Sequence, residues 1–240
     1  MTMQKNTLVK LVIISVALVL FIIVSALTMT GVFDSFEAWA FRVADDVRSP
    51  GMTLFLQIVY WFGTWRIIYP VAFLLFVIPY TRRRFGCPIC FAVVITFLTS
   101  GIMKIAFNRD RPYGYRGGWP YTQSFPSGHT QVSTTFYLAI AVILIVMLIK
   151  HRKRKLLPIL AIPTVITCFF LSVALGLSRV YVGVHFLGDV LAGWAAAVVV
   201  TLGMLMLWEF IGTLKIWKKF PRIHAFFYET PEPENDEFPL

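Results

Sequence analysis

The chain has 240 residues, of which 58% are hydrophobic and 14% charged. A soluble domain of this size cannot bury so much apolar surface, and the long apolar runs place the chain among multispanning membrane proteins. The net charge of +10 does not point to nucleic acid, because the cations cluster beside apolar runs, as at Arg82–Arg84 and Lys150–Lys155, in the pattern of cytoplasmic loops.

The first apolar run covers about residues 8–30, behind Lys5 and Lys10. It is long enough to span, and a signal peptide has a shorter apolar core and a small-residue cleavage site, so a retained helix is expected. Apolar residues then recur at Phe36, Ala40, Val43 and Val47, with helical spacing. Asp34 and Glu37 have the spacing of a capping box. This segment, 33–49, is predicted to be an amphipathic helix lying along the outer membrane surface as scaffolding.

Met52 to Tyr80 is longer than one span and is interrupted by Gly63, Thr64 and Arg66. We read 52–62 as an interfacial or re-entrant segment and about 64–81 as the second span, stopped on the inside by Arg82–Arg84. Cys87-Pro-Ile-Cys90 follows. With no second pair to complete a zinc site, it reads as small residues at a helix end. The third span runs from about 86 to 106. Arg84 and Lys104 bracket about 30 Å of helix, one hydrocarbon thickness.

A loop rich in Gly, Pro and aromatics covers 107–126, and further spans are predicted at about 128–149, 156–177 and 185–208. Lys150–Lys155 and then Lys215, Lys218, Lys219 and Arg222 fall on the inside. The fold class is an all-α polytopic bundle of about six transmembrane helices, with an interfacial helix after the first and both termini cytoplasmic. Residues 1–224 form the membrane domain. Residues 225–240 form an acidic, Pro-rich tail expected to be disordered.

This topology, drawn from hydropathy and basic clusters alone, gathers three polar segments in the outer layer. They are Lys104 through Arg111-Pro112, then Pro126-Ser127-Gly128-His129, then Ser178-Arg179 with His185 and Asp189. Ionisable groups at such depth are costly and mark function by default. Lys104, Arg111 and Arg179 are three cations with Asp189 as the only nearby acid, so the cluster suits an anion. Arginine forks match phosphate oxygens. Ser127 and Gly128 open a helix whose free N–H groups can cradle phosphate. His185 and Asp189 share a helix face at i, i+4, so the carboxylate can hold one ring nitrogen and leave the other to attack. His129, on another helix start, can protonate a leaving oxygen. No carboxylate cluster is available for magnesium or calcium, and no cofactor is implied. Taken singly, the His–Asp pair reads as structural and the arginines as head-group anchors. Asn108, Arg109, Asp110 and Arg116 are either an entrance for the head group or solvated loop. Tyr113, Tyr115, Trp119 and Tyr121 read as an interfacial belt ahead of a lid.

These segments resemble the type 2 phosphatidic acid phosphatase superfamily, whose signature is Lys-x6-Arg-Pro, Pro-Ser-Gly-His and Ser-Arg-x5-His-x3-Asp. Lys104, Arg111, Pro112, Pro126, Ser127, Gly128, His129, Ser178, Arg179, His185 and Asp189 match every specified position. The resemblance implies metal-independent hydrolysis of a phosphomonoester or pyrophosphate. By position, Lys104, Arg111, Ser127, Gly128 and Arg179 bind phosphate, His129 is the general acid, His185 forms a phosphohistidine and Asp189 orients it. Pro112, Pro126 and Ser178 shape the motifs. The expected partners are the bilayer and a lipid substrate such as phosphatidylglycerol phosphate, undecaprenyl pyrophosphate, phosphatidic acid or lipid A. The expected location is a bacterial plasma membrane, with the site extracytoplasmic. A transferase of the same superfamily and a non-enzymatic lipid binder or transporter are the alternatives; oligomeric state is not readable.

Overall fold

The computed structural model describes residues 2–112, 123–151 and 155–228. Among these all regular structure is helical, with no strand. The order is α1 (Thr2–Met29), α2 (Asp34–Asp46), α3 (Pro50–Phe62), α4 (Trp65–Val77), the single turn α5 (Pro79–Thr81), a π-helical turn (Arg82–Gly86), and α6 (Cys87–Phe107). It continues with α7 (Gly128–Lys150), α8 (Leu156–Tyr181), α9 (Leu187–Gly212), a 3-10 turn (Lys215–Lys219) and α10 (Pro221–Phe227). Helix is what an apolar surrounding demands, because every backbone N–H and C=O must be satisfied within its own segment. Among the described residues six segments are long and apolar enough to cross a membrane: Thr7–Met29, Pro50–Val77, Pro79–Phe107, Gly128–Lys150, Leu156–Tyr181 and Leu187–Gly212. The protein is a multi-pass, all-α membrane bundle.

The second span differs from the expectation. α4 has 13 residues, about 20 Å of helix, which is too short to cross alone. α3 and α4 together supply the span, Pro50–Val77. Gly63 and Thr64 interrupt the helix without ending the segment. Thr64 covers the exposed carbonyl of Trp61 twice, with its hydroxyl at 2.8 Å and its N–H at 3.1 Å. A Cβ on Gly63 would lie 2.5 Å from Leu175 Cδ2, so glycine permits the junction to press against α8.

α9 packs against α1, α6, α7 and α8. Its inward face is small: Ala192, Gly193, Ala196 and Ala197 are buried. Small residues let helices approach where lipid offers no hydrophobic drive. Arg83, Arg84, Lys150 and His151 line one cavity of about 380 Å³ together with Tyr228, so the basic clusters meet at one end of the bundle. Lys104, Gly128, Arg179 and His185 line a different cavity at the opposite ends of their helices.

α2 has two faces. Phe36, Trp39, Val43 and Val47 are exposed, and Glu37, Ala40 and Ala44 are buried. The expected capping box is absent: Phe33 is the N-cap and no side chain caps the helix. Glu37 is drawn inward instead, to a partly buried guanidinium described below. At the other terminus the boundary placed at 225 falls inside α10. Tyr228 is buried and stacks on Trp208, with ring centroids 4.8 Å apart. The tail beyond 228, and the loop with Tyr113, Tyr115, Arg116, Trp119 and Tyr121, lie outside the described residues.

Candidate active site

α6 ends because Asn108 adopts a left-handed conformation, φ 44°, its N–H returning to the Lys104 carbonyl at 3.0 Å. Asparagine tolerates this region better than most residues. Lys104 therefore occupies the last turn, and its Nζ donates to the Gln123 carbonyl at 2.6 Å. At the start of α7, Gln131 N–H bonds the Ser127 carbonyl at 2.9 Å, so the N–H groups of Gly128, His129 and Thr130 precede the helical ladder. Gly183, with φ +75°, turns α8 towards α9 and delivers His185.

His185 is almost fully buried and Asp189 entirely so. Nδ1 of His185 lies 3.3 Å from Asp189 Oδ2 and 3.2 Å from Ser124 Oγ, and Ser124 also donates a short bond to the same carboxylate oxygen. On the other side of the ring, Arg111 approaches Nε2 at 3.4 Å while bonding the Val184 carbonyl at 2.8 Å. A guanidinium can only donate, so Nε2 carries the lone pair and Nδ1 the proton. Burial pushes the imidazole down to about 4, with Asp189 pulling upwards and Arg111 and Lys104 pushing further down.

Arg179 is buried, with Nε and Nη2 each 3.2 Å from Ser178 Oγ and its guanidinium 4.4 Å from the Tyr60 ring centroid. Tyr60 also stacks on His129, at 5.8 Å. The 52–62 segment thus contributes a wall of the site. Lys104, Arg111, Gly128, His129, Arg179 and His185 all line one cavity of about 1100 Å³. The rest of its wall is mostly apolar, with Tyr69 from α4 and Phe97, Leu98, Ile102 and Ile105 from α6. Ser127 is not on that wall. It is fully buried, its N–H bonds the Asp189 carbonyl at 3.0 Å, and its hydroxyl accepts from Thr130 at 2.9 Å. Pro112 and Pro126 are buried.

Three further residues reach the site. Ser124 has been described. Arg109 donates to Asp189 Oδ1 at 2.7 Å and to Glu37 at 2.6 and 3.1 Å. Asp189 is therefore not the only acid in the layer, contrary to the sequence reading. The spacing of Glu37 fits a helix cap equally well, and nothing local says which way its carboxylate turns. Arg109 stands two residues before Arg111, inside the Lys-x6-Arg-Pro segment, which is the one hint the sequence offers. Among the described residues no three of His, Cys, Asp and Glu converge as a metal cage. Cys87, Cys90 and Cys168 are free thiols.

The model of the PAP2 superfamily matches residues 85–212, just over half of the chain. The chain belongs to the PAP2 superfamily. YbjG of Escherichia coli, provisionally named an undecaprenyl-diphosphatase, is 30% identical over 138 residues, covering 55% of this chain and 61% of YbjG. A lipid A 1-phosphatase of Rhizobium johnstonii is 32% identical over 46% of this chain and 42% of its own length. Phosphatidylglycerophosphatase B of Bacillus subtilis is 37% identical over 35% of each. The matched stretch thus spans from about a third to three fifths of these PAP2 relatives. A transmembrane PAP2-type phosphatidylglycerolphosphate phosphatase from Bacillus subtilis shares the fold, with a TM-score of 0.69 and 23% identity over 84% of this chain and 98% of that one.

Proposed function

We propose that this protein hydrolyses a lipid phosphate or lipid diphosphate through a phosphohistidine on His185. The observation that carries the reading is the polarity of the His185 ring. Its Nδ1 is held by Asp189 and its lone-pair Nε2 is turned to a cavity edged by Lys104, Arg111 and Arg179. Three cations and a helix N-terminus suit a phosphoryl group, and the apolar remainder of the wall suits acyl or prenyl chains.

In the first step Nε2 attacks phosphorus and the bond to the leaving oxygen breaks. His129, exposed to the same cavity, gives that oxygen a proton. In the second step water attacks the phosphohistidine, passes its proton to His129, and the N–P bond breaks to release phosphate and free His185. Lys104, Arg111, Arg179 and the N–H groups from Gly128 onwards neutralise the phosphoryl oxygens, the work that metals do elsewhere. Ser127 serves from behind by tying the start of α7 to Asp189. Relatives named as a lipid A 1-phosphatase and a phosphatidylglycerophosphatase support lipid phosphates as the substrate class.

We further infer that the site opens on the extracytoplasmic side of a bacterial plasma membrane with both termini inside. The gathering of Arg83, Arg84, Lys150 and His151 at the far end of the bundle supports this orientation.

The test is phosphate release by purified protein in detergent with EDTA, from a panel of lipid monophosphates and diphosphates, with His185→Ala in parallel. Release that disappears in the variant is expected. A phosphorylated acceptor lipid in place of free phosphate would make the protein a transferase. Full activity in His185→Ala would sink the mechanism.

A further inference from the structure

The carboxylate of Asp189 is fully buried and uses both oxygens. Oδ2 takes His185 Nδ1, the Ser124 hydroxyl and the Phe186 N–H at 2.9 Å. Oδ1 takes the Arg109 guanidinium at 2.7 Å. That fourth bond sets up a conflict. A direct guanidinium partner fixes the carboxylate in place, yet it also neutralises the charge that His185 needs as it turns cationic on attack. Paired only with Arg109, Asp189 would present His185 with a neutral unit.

Glu37 resolves the conflict. It is buried on the inward face of α2, far away in sequence, and it takes Arg109 in a fork, Oε2 from Nη2 at 2.6 Å and Oε1 from Nη1 at 3.1 Å. The Gly188 N–H holds Oε1 at 3.2 Å. The Phe186 ring lies 4.1 Å beneath the guanidinium carbon. Burial raises the Glu37 carboxyl, and the bonds from Arg109 oppose that rise. Arg109 is itself held above its ordinary value, since the bonds to Glu37 and Asp189 outweigh its own burial. With Glu37 ionised, the three groups sum to a single negative charge, and the free share of it faces His185.

We propose that Glu37 and Arg109 are positioning residues for the Asp189–His185 pair. Arg109 locks the Asp189 carboxylate in plane, and Glu37, from the interfacial helix, returns the charge that Arg109 withdraws. The inference rests on the functional reading above, and it gives α2 a part in the chemistry beyond scaffolding. The charged and titratable groups that face His185 are Asp189 from α9, Lys104 from α6, Arg109 and Arg111 from the loop after it, His129 from α7 and Arg179 from α8. Glu37 acts on it through Arg109.

The experiment compares wild type, Glu37→Gln, Arg109→Met and the charge-balanced double variant, each checked for folding by size exclusion and thermal melting. One readout is kcat and KM for lipid phosphate release. The other is the ¹⁵N shifts of the His185 ring in histidine-labelled protein at neutral pH, which report the tautomer whether or not the protein turns over. Each single variant is expected to lower kcat about 10- to 100-fold, the usual cost of losing an outer partner, with KM unchanged. His185 should move from the Nδ1–H tautomer towards a mixture. The double variant should be no worse than the worse single one, because the two residues act as one unit. If Glu37→Gln does not fold, the Arg109→Met and double variants carry the same comparison. Folded variants with unchanged His185 shifts and unchanged kcat overturn the proposal, and so does a lower melting temperature with the ring shifts unmoved. A wild type that releases no phosphate overturns the functional reading alone, since the ring shifts still decide the positioning claim.

Discussion

Nδ1 of His185 lies 3.3 Å from Oδ2 of Asp189, four residues further along. The two side chains do not share a helix face, as their i, i+4 spacing had suggested: His185 stands in the bend before α9 and Asp189 in its first turn, and the contact across the helix start decides which ring nitrogen faces the cavity. An asparagine at 189 can offer an amide donor to Nδ1 and stabilise the opposite tautomer, with the proton on Nε2. Asp189→Asn should therefore lower kcat by on the order of 10²–10⁴, with the fold intact. Steady-state kinetics on folded variant protein checks this. A loss of less than about tenfold would mean that the carboxylate does not set the tautomer.

The acid side of the pH profile follows from the burial of His185. Its imidazole titrates at about 4, against an ordinary 6.5. The nucleophile must be unprotonated, so its activity is present above about 4 and is lost as pH falls through that value. The acid limb of kcat/KM should lie near 4. A limb near 6.5, measured with a soluble short-chain substrate, would contradict this assignment.

Chelation is a separate check. Lys104, Arg111 and Arg179 line the cavity and can neutralise a phosphoryl group by themselves. Phosphate release should be unchanged by EDTA. Loss of activity that a divalent cation restores would show that these side chains are not sufficient.

Gly188 provides a packing test. A Cβ there would lie 2.5 Å from Thr28 Oγ1 and 2.6 Å from Glu37 Oε1. Gly188→Ala should lower stability by about 1–3 kcal/mol, the usual cost of overpacking, and reduce activity as well. Gly203, on the same helix, has open space at its Cβ. Gly203→Ala should leave the melting temperature unchanged or higher. Equal melting temperatures for the two variants would argue against the close approach of α1, α2 and α9.

Orientation can be read with an impermeant maleimide on intact cells, in a background lacking Cys87, Cys90 and Cys168. Val32, in the turn between α1 and α2, is exposed. Val32→Cys should label from outside, and Lys218→Cys only after permeabilisation. The reverse pattern would place the site in the cytoplasm.

The amino-acid sequence alone determined the all-helical membrane class. Apolar runs of spanning length leave the backbone no other way to satisfy its polar groups. Residue type and spacing also marked Lys104, Arg111, His129, Arg179 and His185, which line one cavity, and Asp189 beside His185 as candidates, while Ser124, Arg109 and Glu37 carried no such mark. The second span was less legible. Gly63 and Thr64 look like a boundary in one dimension, and only the junction pressed against α8 shows that α3 and α4 make one segment of spanning length despite the break. The tertiary structure alone decided the partners of Glu37. Its spacing from Asp34 is that of a helix cap, and its partners Arg109 and Gly188 lie 72 and 151 residues away. A buried charge takes whichever opposite charge the fold brings within reach, and that choice is made by packing between helices, which no local pattern records.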